Sequence, residues 1–465
     1  MRRSATTICL LLLCFGVLLG SASRADATIV VSMSEGGYDT DVVAYRWSIV
    51  RVRAGSEPND IRVTEGARSV TIRDPRGRFR IGSTRPGEVV TDSACVLAGR
   101  HAVRCSVALA STAEDRLNPS VVVDTGGGDD RFDASGRSAG AAIGVIAELG
   151  AGADVGRLGK PGRLSGGPGP DRLRAAGTKR GGALYGDEGD DVLSGSRGAS
   201  GGPGNDLLRG TREGDFLSPG PGRDRVIGRS GADTLTYDDS GTVSVDLALG
   251  RAWSAHGNVA FTSIENVTAG EDADVVLGDA RDNNLDGGRG RNAVHGRGGK
   301  DVLENFGPGS SCGTGHDTVM VPSRDDLTDD YDDDEAVPAA YVGLSLPVAR
   351  DCERAEMRGW GIAIDARPRV TARQVTFTGV TGTDPDESDA NFTVRWDLRT
   401  GWRQGGRLLG RTTTTDRRDR VRIALNARGR ACVARPDCRA HLTLSFPQYS
   451  DDELGSSPYP LVLTR

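Results

Sequence analysis

The chain has 465 residues, of which 66 are glycine and only 5% are aromatic, and its formal net charge is -6. So few large apolar side chains argue against a large helical or doubly wound fold, since both need a bulky core. The negative charge argues against a general nucleic-acid binder, because such proteins carry a clustered basic face.

Residues 1–27 have the pattern of a secretory signal peptide. Arg2 and Arg3 start it, an apolar run follows from Ile8 to Leu19, and 25–27 is a small-residue cleavage site. A membrane anchor is the alternative, but the run is shorter than the roughly 20 residues that span a bilayer. No later stretch is apolar enough to cross a membrane, so we expect a secreted, extracellular protein.

Six cysteines remain once the signal is removed, and they fall into three local pairs. An even number in an exported chain predicts disulfides. Metal ligation by thiolates is the alternative, but the chain has no CxxC motif and only five histidines. The simplest pairing is Cys95 with Cys105, Cys312 with Cys352, and Cys432 with Cys438.

Two regions that flank the centre of the chain show short alternating segments typical of β-strands. Residues 28–122 alternate in pieces separated by polar turns that contain glycine or proline, and the arginine-rich residues 360–465 do the same. Both patterns predict small β-rich domains. Residues 324–359 start with an acidic tract that lacks the central glycine of an EF-hand loop, so we interpret them as a solvated linker with a cysteine-containing closing segment.

The centre of the chain, residues 123–323, repeats a nine-residue pattern. From 201 to 236 the units GGPGNDLLR, GTREGDFLS, PGPGRDRVI and GRSGADTLT follow one another without a gap. Aspartate recurs in the sixth place of each unit and an aliphatic residue in the eighth. A chain that is merely rich in glycine and aspartate would not repeat both residues at a constant spacing, so the pattern indicates a structural repeat. A second phased run covers 269–304, and its sixth positions are Asp274, Asn283, Asn292 and Asp301.

The repeats are less regular outside these two runs. A complete unit stands at 166–174, a close match at 186–194, a partial unit at 150–156, and TGGGDDRFD at 125–133 has Asp130 in the sixth place. The six residues 195–200 shift the phase by three and indicate a break in the array before 201. Residues 237–268 interrupt the repeats with strict alternation and predict an inserted β-hairpin.

One unit can fold in only a few ways. Its glycines allow positive φ, so six residues can form a tight turn with inward carbonyls, and the last three form a strand with the aliphatic residue inside. Two units then make one coil of a flattened parallel solenoid. One aliphatic residue in nine gives a thin core, which cannot by itself offset the entropy lost on ordering the chain.

The sixth-position aspartates supply a further interaction. Units two apart lie on the same edge, so we expect Asp206 to stack on Asp224 and Asp215 on Asp233. Two carboxylates and several carbonyls form an all-oxygen cage, which suits Ca²⁺ with its roughly 6–8 oxygen ligands. Mg²⁺ prefers to keep water, and zinc prefers Cys or His. Without metal the stacked acids should repel, so we expect metal binding to be coupled to folding.

The phased units resemble the RTX, or hemolysin-type, calcium-binding nonapeptide repeats of exported bacterial proteins. The resemblance covers roughly residues 125–320, under half of the chain. It implies an all-β fold, a parallel β-roll with Ca²⁺ between successive turns on the same side, here flanked by small β-rich N- and C-terminal domains. The two asparagines keep an oxygen but lose a charge, so the 269–304 run should bind calcium more weakly. The predicted ligands are Asp171, Asp191, Gly202, Gly204, Asp206, Asp215, Gly220, Gly222, Asp224, Gly231, Asp233, Asp274, Asn283, Asn292, Gly299, Asp301 and Asp317.

Nothing in the sequence predicts a catalytic head. The chain has no HExxH metalloprotease motif, and the aspartates are accounted for as ligands. The first hypothesis is therefore a non-enzymatic, secreted calcium-binding protein with a structural or adhesive role. The alternatives are a protein whose arginine-rich C-terminal domain binds glycans or a surface partner, with the roll as spacer, and a secreted hydrolase without a recognisable motif.

Overall fold

Each repeat unit forms a turn over its glycine-rich half and a short strand over its last residues, as the sequence predicts. Successive units alternate between two sheets, so strands 18 residues apart pair in parallel. Leu208 lies opposite Val226 in one sheet, and Leu217 lies opposite Leu235 in the other. The period of nine thus produces one side of a flattened coil, and the predicted parallel β-roll is confirmed.

The computed structural model is nearly all β. The predicted signal peptide, the acidic tract and Cys352 lie outside the residues it describes. Within these residues no helix is long and apolar enough to cross a membrane. The structure describes residues 28–39, 44–66, 69–82, 94–106, 119–136, 144–159, 161–176, 182–237, 241–307, 310–321, 354–357, 362–365, 369–378, 393–400, 407–415, 420–435, 438–445 and 459–462.

The N-terminal region continues the roll. Its strand β2 pairs in parallel with β8, where Val52 lies opposite Val123, and β3 pairs with β9, where Ile61 lies opposite Phe132. These strands therefore cover the end of the first coil, as a capping unit does in a solenoid. The strands up to the first coil are β1 (Thr28–Asp39), β2 (Ala44–Arg53), β3 (Asp60–Glu65), β4 (Ser69–Arg73), β5 (Arg78–Ile81), β6 (Cys95–Leu97), β7 (Ala102–Ser106), β8 (Pro119–Asp124) and β9 (Arg131–Ala134).

Two long sheets form the walls of the roll. Within the described residues the first sheet runs β31-β30-β29-β28-β26-β24-β20-β18-β16-β14-β12-β10-β8-β2-β1-β5, and the second runs β27-β25-β21-β22-β23-β19-β17-β15-β13-β11-β9-β3-β4-β7-β6. The remaining strands of these sheets are β10 (Gly144–Glu148), β11 (Val155–Leu158), β12 (Gly162–Ser165), β13 (Arg172–Ala175), β14 (Ala183–Tyr185), β15 (Val192–Ser194), β16 (Gly198–Ser200), β17 (Leu207–Arg209), β18 (Phe216–Ser218), β19 (Arg223–Ile227), β20 (Thr234–Thr236), β21 (Val243–Asp246), β22 (Arg251–Ser254), β23 (Gly257–Thr262), β24 (Asn266–Thr268), β25 (Val275–Leu277), β26 (Asn284–Asp286), β27 (Ala293–His295), β28 (Val302–Glu304), β29 (Thr318–Val321), β30 (Arg354–Met357) and β31 (Ile362–Asp365).

A single file of aliphatic side chains from each sheet fills the space between the two walls. The eighth-position residues are completely or almost completely buried, as the sequence predicts, and they stack on their equivalents in neighbouring coils. The core is therefore narrow and continuous along the roll. These residues are Leu208, Leu217, Val226, Leu235, Val276, Leu285, Val294, Leu303 and Val319.

The break expected at residues 195–200 is absent. Residues 198–200 form β16, and Ala199 lies opposite Leu184 on one side and Leu217 on the other. The expectation of a discontinuous roll before 201 was wrong, because the missing residues shorten a turn at the edge and leave the strand register intact.

The interruption between the two phased runs also stays within the roll. Strand β23 pairs in parallel with β19, β21 pairs in parallel with β25, and β22 lies between β21 and β23 with antiparallel pairing. The inserted residues thus widen the second sheet by an antiparallel excursion. The apolar core continues through Val243, Val245, Val259 and Phe261, all of which are buried.

The C-terminal region forms two antiparallel sheets and a short helix. The sheets run β32-β33-β36 and β35-β34-β37-β38. The sequence predicts only strands here, but a helix starts where the side chain of Asn426 caps it by accepting from Gly429 N–H at 3.0 Å. The elements are β32 (Arg369–Val370), β33 (Gln374–Thr378), β34 (Thr393–Thr400), β35 (Leu408–Thr415), β36 (Arg420–Ala424), α1 (Ala427–Val433), β37 (Arg439–Ser445) and β38 (Tyr459–Val462).

Disulfides join the pairs that the spacing predicts, as far as the described residues extend. Cys95 is bonded to Cys105, directly opposite it on β6 and β7, and Cys432 is bonded to Cys438. Cys312 is also disulfide-bonded.

Candidate metal-binding edges

The sixth-position aspartates form a ladder along the first edge of the roll, the row of turns that lead from the first sheet into the second. The main-chain N–H of each aspartate donates to Oδ1 of the aspartate in the next coil. The N–H of Asn59 donates to Asp130 at the start of the ladder, over 2.7 Å. The five following steps are 2.7, 2.8, 2.7, 2.8 and 2.9 Å long and link, in order, Asp130, Asp154, Asp171, Asp191, Asp206 and Asp224.

The second edge, where the turns lead back into the first sheet, carries a shorter ladder of the same kind. Asp215 N–H donates to Asp233 Oδ1 at 3.0 Å. Further along, Asn283 N–H donates to Asp301 and Asp301 N–H to Asp317, both at 2.9 Å. Asp206 therefore stacks on Asp224 and Asp215 on Asp233, in the arrangement that the nine-residue period implies.

The ladder uses only one oxygen of each carboxylate. The other, Oδ2, is buried and has no hydrogen-bond partner among the described residues at most rungs. A buried carboxylate oxygen without a partner is costly, and a cation is the group that would satisfy a row of them. The aspartates with such an oxygen are Asp130, Asp154, Asp171, Asp191, Asp206, Asp224, Asp233 and Asp301.

At five of these eight aspartates the free oxygen faces a small cradle beside the first glycine of the unit, whereas the units of Asp130, Asp154 and Asp224 begin with Thr125, Leu149 and Pro219. A β-carbon placed on Gly201 would lie 2.3 Å from Asp206 Oδ2 and 2.4 Å from the carbonyl oxygen of Pro219 in the next coil. The same arrangement recurs at Gly228, where Asp233 Oδ2 and the carbonyl of Ser263 converge. The space that glycine leaves open is thus lined by one carboxylate oxygen and one main-chain oxygen, which is the donor chemistry that Ca²⁺ prefers.

Burial raises the pKa of these carboxyl groups more than any other factor. The pKa of Asp206 rises to about 8, because burial outweighs the hydrogen bond from Asp191 N–H, and the nearby charges of Asp191 and Asp224 raise it further. For the same first reason the pKa of Asp171 rises to about 7 and that of Asp154 to about 6. The sequence argument assigned the instability of the metal-free edge to mutual repulsion, but loss of hydration is the larger cause.

Two predicted ligands have both carboxylate oxygens engaged by the protein itself. Asp215 accepts from the N–H of Thr211 and, at 2.8 Å, from its hydroxyl. Thr211 replaces the second glycine of its unit, so this departure from the pattern closes the cradle. Asp274 likewise accepts from Val243 N–H at 2.8 Å and Gly270 N–H at 3.1 Å.

Asn292 closes its site in another way. Its Oδ1 accepts from Asp274 N–H at 2.9 Å, which fixes the orientation of the amide. Its Nδ2 then donates to the carbonyls of Gly288, Arg289 and Asn305 at 3.1, 3.1 and 3.0 Å. A side-chain NH₂ group thus satisfies the main-chain oxygens that face a carboxylate elsewhere on the roll.

Asn283 is also satisfied within the protein. Its Oδ1 accepts from Asp279 N–H at 2.8 Å, and its Nδ2 donates to the carbonyl of Glu265 at 2.9 Å. The guanidinium of Arg281 bridges the carboxylates of Asp279 and Glu265 at 3.0 and 3.2 Å on the outside of the same turn. Three of the four sixth positions in the 269–304 run are therefore closed, and only Asp301 keeps a free oxygen.

The predicted glycine ligands lie in the turns, where they allow successive coils to stack closely. Gly220 and Gly222 have φ of 86° and 147°, and β-carbons on them would lie 2.3 and 1.5 Å from the carbonyl oxygens of Gly202 and Gly204 in the preceding coil. Gly231 and Gly299 also have positive φ. Their carbonyls as metal ligands remain a prediction.

Sequence reasoning missed three groups on these edges. Asp130 was placed in the sixth position of its unit but was not among the predicted ligands, yet it lies in the ladder with a free buried Oδ2. Asp154 lies in the ladder, but its unit has Gly156 in the eighth place, and the side chains of Leu149, Leu164 and Leu173 fill the space. The G-x-G-x-D core of that unit was the available signal. The first-position carbonyls, such as that of Pro219, were also overlooked, because any residue type supplies one.

Within the described residues no three His, Cys, Asp or Glu side chains converge as a metal-binding group. Each turn instead offers a single carboxylate oxygen together with main-chain oxygens. This donor set fits calcium better than zinc, which prefers nitrogen and sulfur ligands.

Comparison with known proteins agrees with this chemistry. Residues 183–199, 200–235 and 268–303, which together make up less than half of the chain, match the family described as RTX calcium-binding nonapeptide repeat (4 copies). No curated protein matches the chain. RTX repeats imply calcium binding, and the matched residues cover all but the last residue of each phased run. The chain therefore contains RTX calcium-binding nonapeptide repeats, the family that its units resemble.

Proposed function

We propose that the chain is a secreted calcium-binding protein whose roll becomes stable when its edges are loaded with Ca²⁺ outside the cell. The observation that carries the proposal is the row of buried, unpartnered Oδ2 atoms from Asp130 to Asp224 on the first edge. Extracellular calcium modules bind at around 10⁻⁴–10⁻³ M, so the chain would stay unloaded in a calcium-poor cytosol. Metal affinity would then be part of the folding free energy.

The role that we propose is structural or adhesive and not enzymatic. The buried acids are already engaged in ladders that hold the coils together, and their free oxygens are buried, where a substrate would not reach them. A stiff roll with a β-rich region at each end suits a spacer or scaffold at the cell exterior. Turnover of a substrate from a broad hydrolase panel by the purified chain would contradict this part of the proposal.

The experiment is a calcium titration by calorimetry on Asp224→Asn, with Asp215→Asn as the matched control. The amide in Asp224→Asn would keep the oxygen that accepts from Asp206 N–H but lose the anionic, unpartnered oxygen. We expect Asp224→Asn to lose about one bound Ca²⁺ per chain, in line with the one carboxylate it removes. Asp215→Asn should keep the wild-type stoichiometry, because Thr211 already engages that carboxylate.

Circular dichroism of the same proteins gives the second readout. Adding millimolar Ca²⁺ to chelated wild type should raise its β content, while Mg²⁺ at the same concentration should have little effect. A wild-type protein that neither binds calcium nor changes its spectrum would refute the proposed function.

A further inference from the structure

The outer face of the second sheet carries a row of exposed arginines, which we call the arginine stripe. It extends over five adjacent strands, each about 4.8 Å from the next, with arginines on β11, β13, β17 and β19 and Ser194 between them on β15. The outward-facing positions of these five strands include no acidic residue, since Asp224 on β19 is buried. The stripe consists of Arg157, Arg172, Arg174, Arg209, Arg223 and Arg225, all of which are exposed.

Only Arg157 has an acidic residue directly opposite it on a neighbouring strand among the described residues, Asp133 on β9. None of the six guanidinium groups has an ion pair or a hydrogen bond with a described side chain or carbonyl. Arg157 and Arg174 even lie directly opposite each other on neighbouring strands. Like charges directly opposite each other destabilise a sheet. A bound ligand of opposite charge would remove this repulsion.

The first sheet shows that the charge belongs to one face and not to the whole roll. The equivalent column in the same coils is Ser165, Tyr185, Ser200, Ser218 and Thr236. Arg163, in the neighbouring column, stacks on the ring of Tyr185 at 4.1 Å. A generally basic surface would carry more than this one arginine on the opposite wall of the same coils.

An aromatic side chain extends the stripe. Trp253 is 43% exposed on β22, and the register places it in line with Asn258 on β23 and Arg223 on β19. An exposed indole face packs well against the apolar face of a sugar ring. The guanidinium groups of the stripe can each donate two parallel hydrogen bonds to a carboxylate or sulfate group, whereas a lysine ammonium group cannot make this paired contact.

We propose that the arginine stripe binds a linear acidic polysaccharide laid across the strands, with Trp253 stacked on a sugar ring at one end. Single-stranded nucleic acid fits less well, because its binding sites use rows of aromatic side chains and this face exposes only one among the described residues. An anionic membrane also fits less well, because the outward aliphatic residues within the stripe, such as Val192 and Leu207, are half-buried and do not protrude. The proposal rests on the proposed function to the extent that the roll must be loaded with calcium to present this face.

The test measures binding of the full mature chain to polymers in millimolar Ca²⁺ by calorimetry. The probes are hyaluronate, which carries carboxylates, dextran sulfate, and neutral dextran. We expect wild type to bind one or both acidic polymers, with affinity that falls as salt is added, and not to bind neutral dextran. The triple variant R172Q/R174Q/R209Q should weaken binding by about tenfold or more, since it removes three charge-assisted contacts.

The matched control is R369Q/R420Q/R422Q, which removes three exposed arginines from one face of the sheet β32-β33-β36. It should bind like wild type. Equal weakening by both variants, or weakening by the control alone, would overturn the proposal in favour of bulk charge or the C-terminal region. Tighter binding to a single-stranded oligonucleotide, or to vesicles of anionic phospholipid, would also overturn it.

Calcium-dependent circular dichroism of every sample separates the two proposals. If the R172Q/R174Q/R209Q variant gains β content on calcium addition like wild type, its weaker polymer binding reports on the stripe alone. If wild type gains β content but binds neither acidic polymer, the stripe proposal fails and the calcium proposal stands. If wild type binds the polymers through the stripe without responding to calcium, the calcium proposal fails and the stripe remains.

Discussion

The side-chain amide nitrogen of Asn292 donates a hydrogen bond to the main-chain carbonyl of Asn305 over 3.0 Å. It donates to two further carbonyls in its own turn, those of Gly288 and Arg289. At eight other rungs of the ladders the residue is an aspartate whose Oδ2 is buried and has no partner among the described residues. At this turn an NH₂ group replaces the cation, so the coil is complete without metal.

Asn292→Asp should turn this closed turn into a calcium site. The change removes the donor to three carbonyls, so the metal-free protein should lose about 1–3 kcal/mol of unfolding free energy. With calcium present, the number of bound ions should rise by about one, because a new carboxylate faces the carbonyls. Urea denaturation in chelator and calorimetric titration measure the two effects.

Asn284→Asp is the control for that experiment. It makes the same chemical change at an exposed position on β26, where the side chain has no hydrogen bond with a described residue. Neither its metal-free stability nor its calcium stoichiometry should differ much from wild type. If Asn292→Asp behaves like this control, the amide does not substitute for a cation.

The metal-free roll should become more stable as the solution is acidified. Burial raises the pKa of Asp206 to about 8 and those of Asp171 and Asp301 to about 7, whereas an unfolded aspartate titrates near about 3.9. The folded state therefore holds protons that the unfolded state has lost. This stabilisation is fully present below about pH 4 and is lost as pH rises through about 6 to 8.

Circular dichroism in chelator, from pH 8 down to pH 5, measures this gain in β structure. With calcium present the dependence should reverse, because protons compete with the metal for the same oxygens, and the calcium midpoint should rise as pH falls. Asp206→Asn should weaken the acid-induced gain, since an amide does not titrate. A metal-free protein that loses structure between pH 8 and pH 6 would contradict the assignment of these groups.

The first glycine of a unit should be needed for the cradle and not for the backbone. A β-carbon on Gly201 would lie 2.3 Å from Asp206 Oδ2 and 2.4 Å from Pro219 O, while Gly201 does not have a positive φ. Gly201→Ala should lower stability in calcium by about 1–3 kcal/mol, because the side chain overpacks the cradle. Gly198→Ala, with nothing within 4 Å of the new carbon, should be close to neutral. Equal calcium-binding isotherms for the two variants would show that the cradle is not used.

The sequence predicts the framework of the roll well, because the phase of the repeat determines which residues stack. Alternation of the units between two sheets follows directly, as do the buried eighth positions such as Leu208 and the pairing of Asp206 with Asp224. Which sites are open does not follow. Asp215 has no free oxygen because the hydroxyl of Thr211 donates to it. Asn292 needs no cation because three main-chain carbonyls point at its side-chain NH₂ group. Such details are decided by local geometry that a repeat pattern does not encode.

In the irregular first half of the array, the ladder of aspartates is kept although the nine-residue spacing is not. Its ladder steps span 24, 17, 20 and 15 residues between successive aspartates, yet each N–H still reaches the next carboxylate. The connections on the opposite edge vary in length from three residues, between β15 and β16, to nine, between β9 and β10, while the register along the ladder is kept. The nine-residue period is therefore not visible in the sequence of this half, although each coil still places one carboxylate in the ladder.

The two phased runs should differ in how much they depend on calcium. In the 201–236 run, Asp206, Asp224 and Asp233 each have a free buried oxygen, whereas in the 269–304 run Asp274, Asn283 and Asn292 are closed by protein groups. In chelator, amides of β17–β20 should therefore exchange with deuterium at least about tenfold faster than those of β25–β27, a difference of about 1.4 kcal/mol in local opening. Calcium should slow exchange in the first group much more than in the second. Amides of β34 and β37 in the C-terminal region serve as the internal control and should not respond. Uniform exchange across both runs in chelator would mean that the closed turns gain nothing from their internal donors.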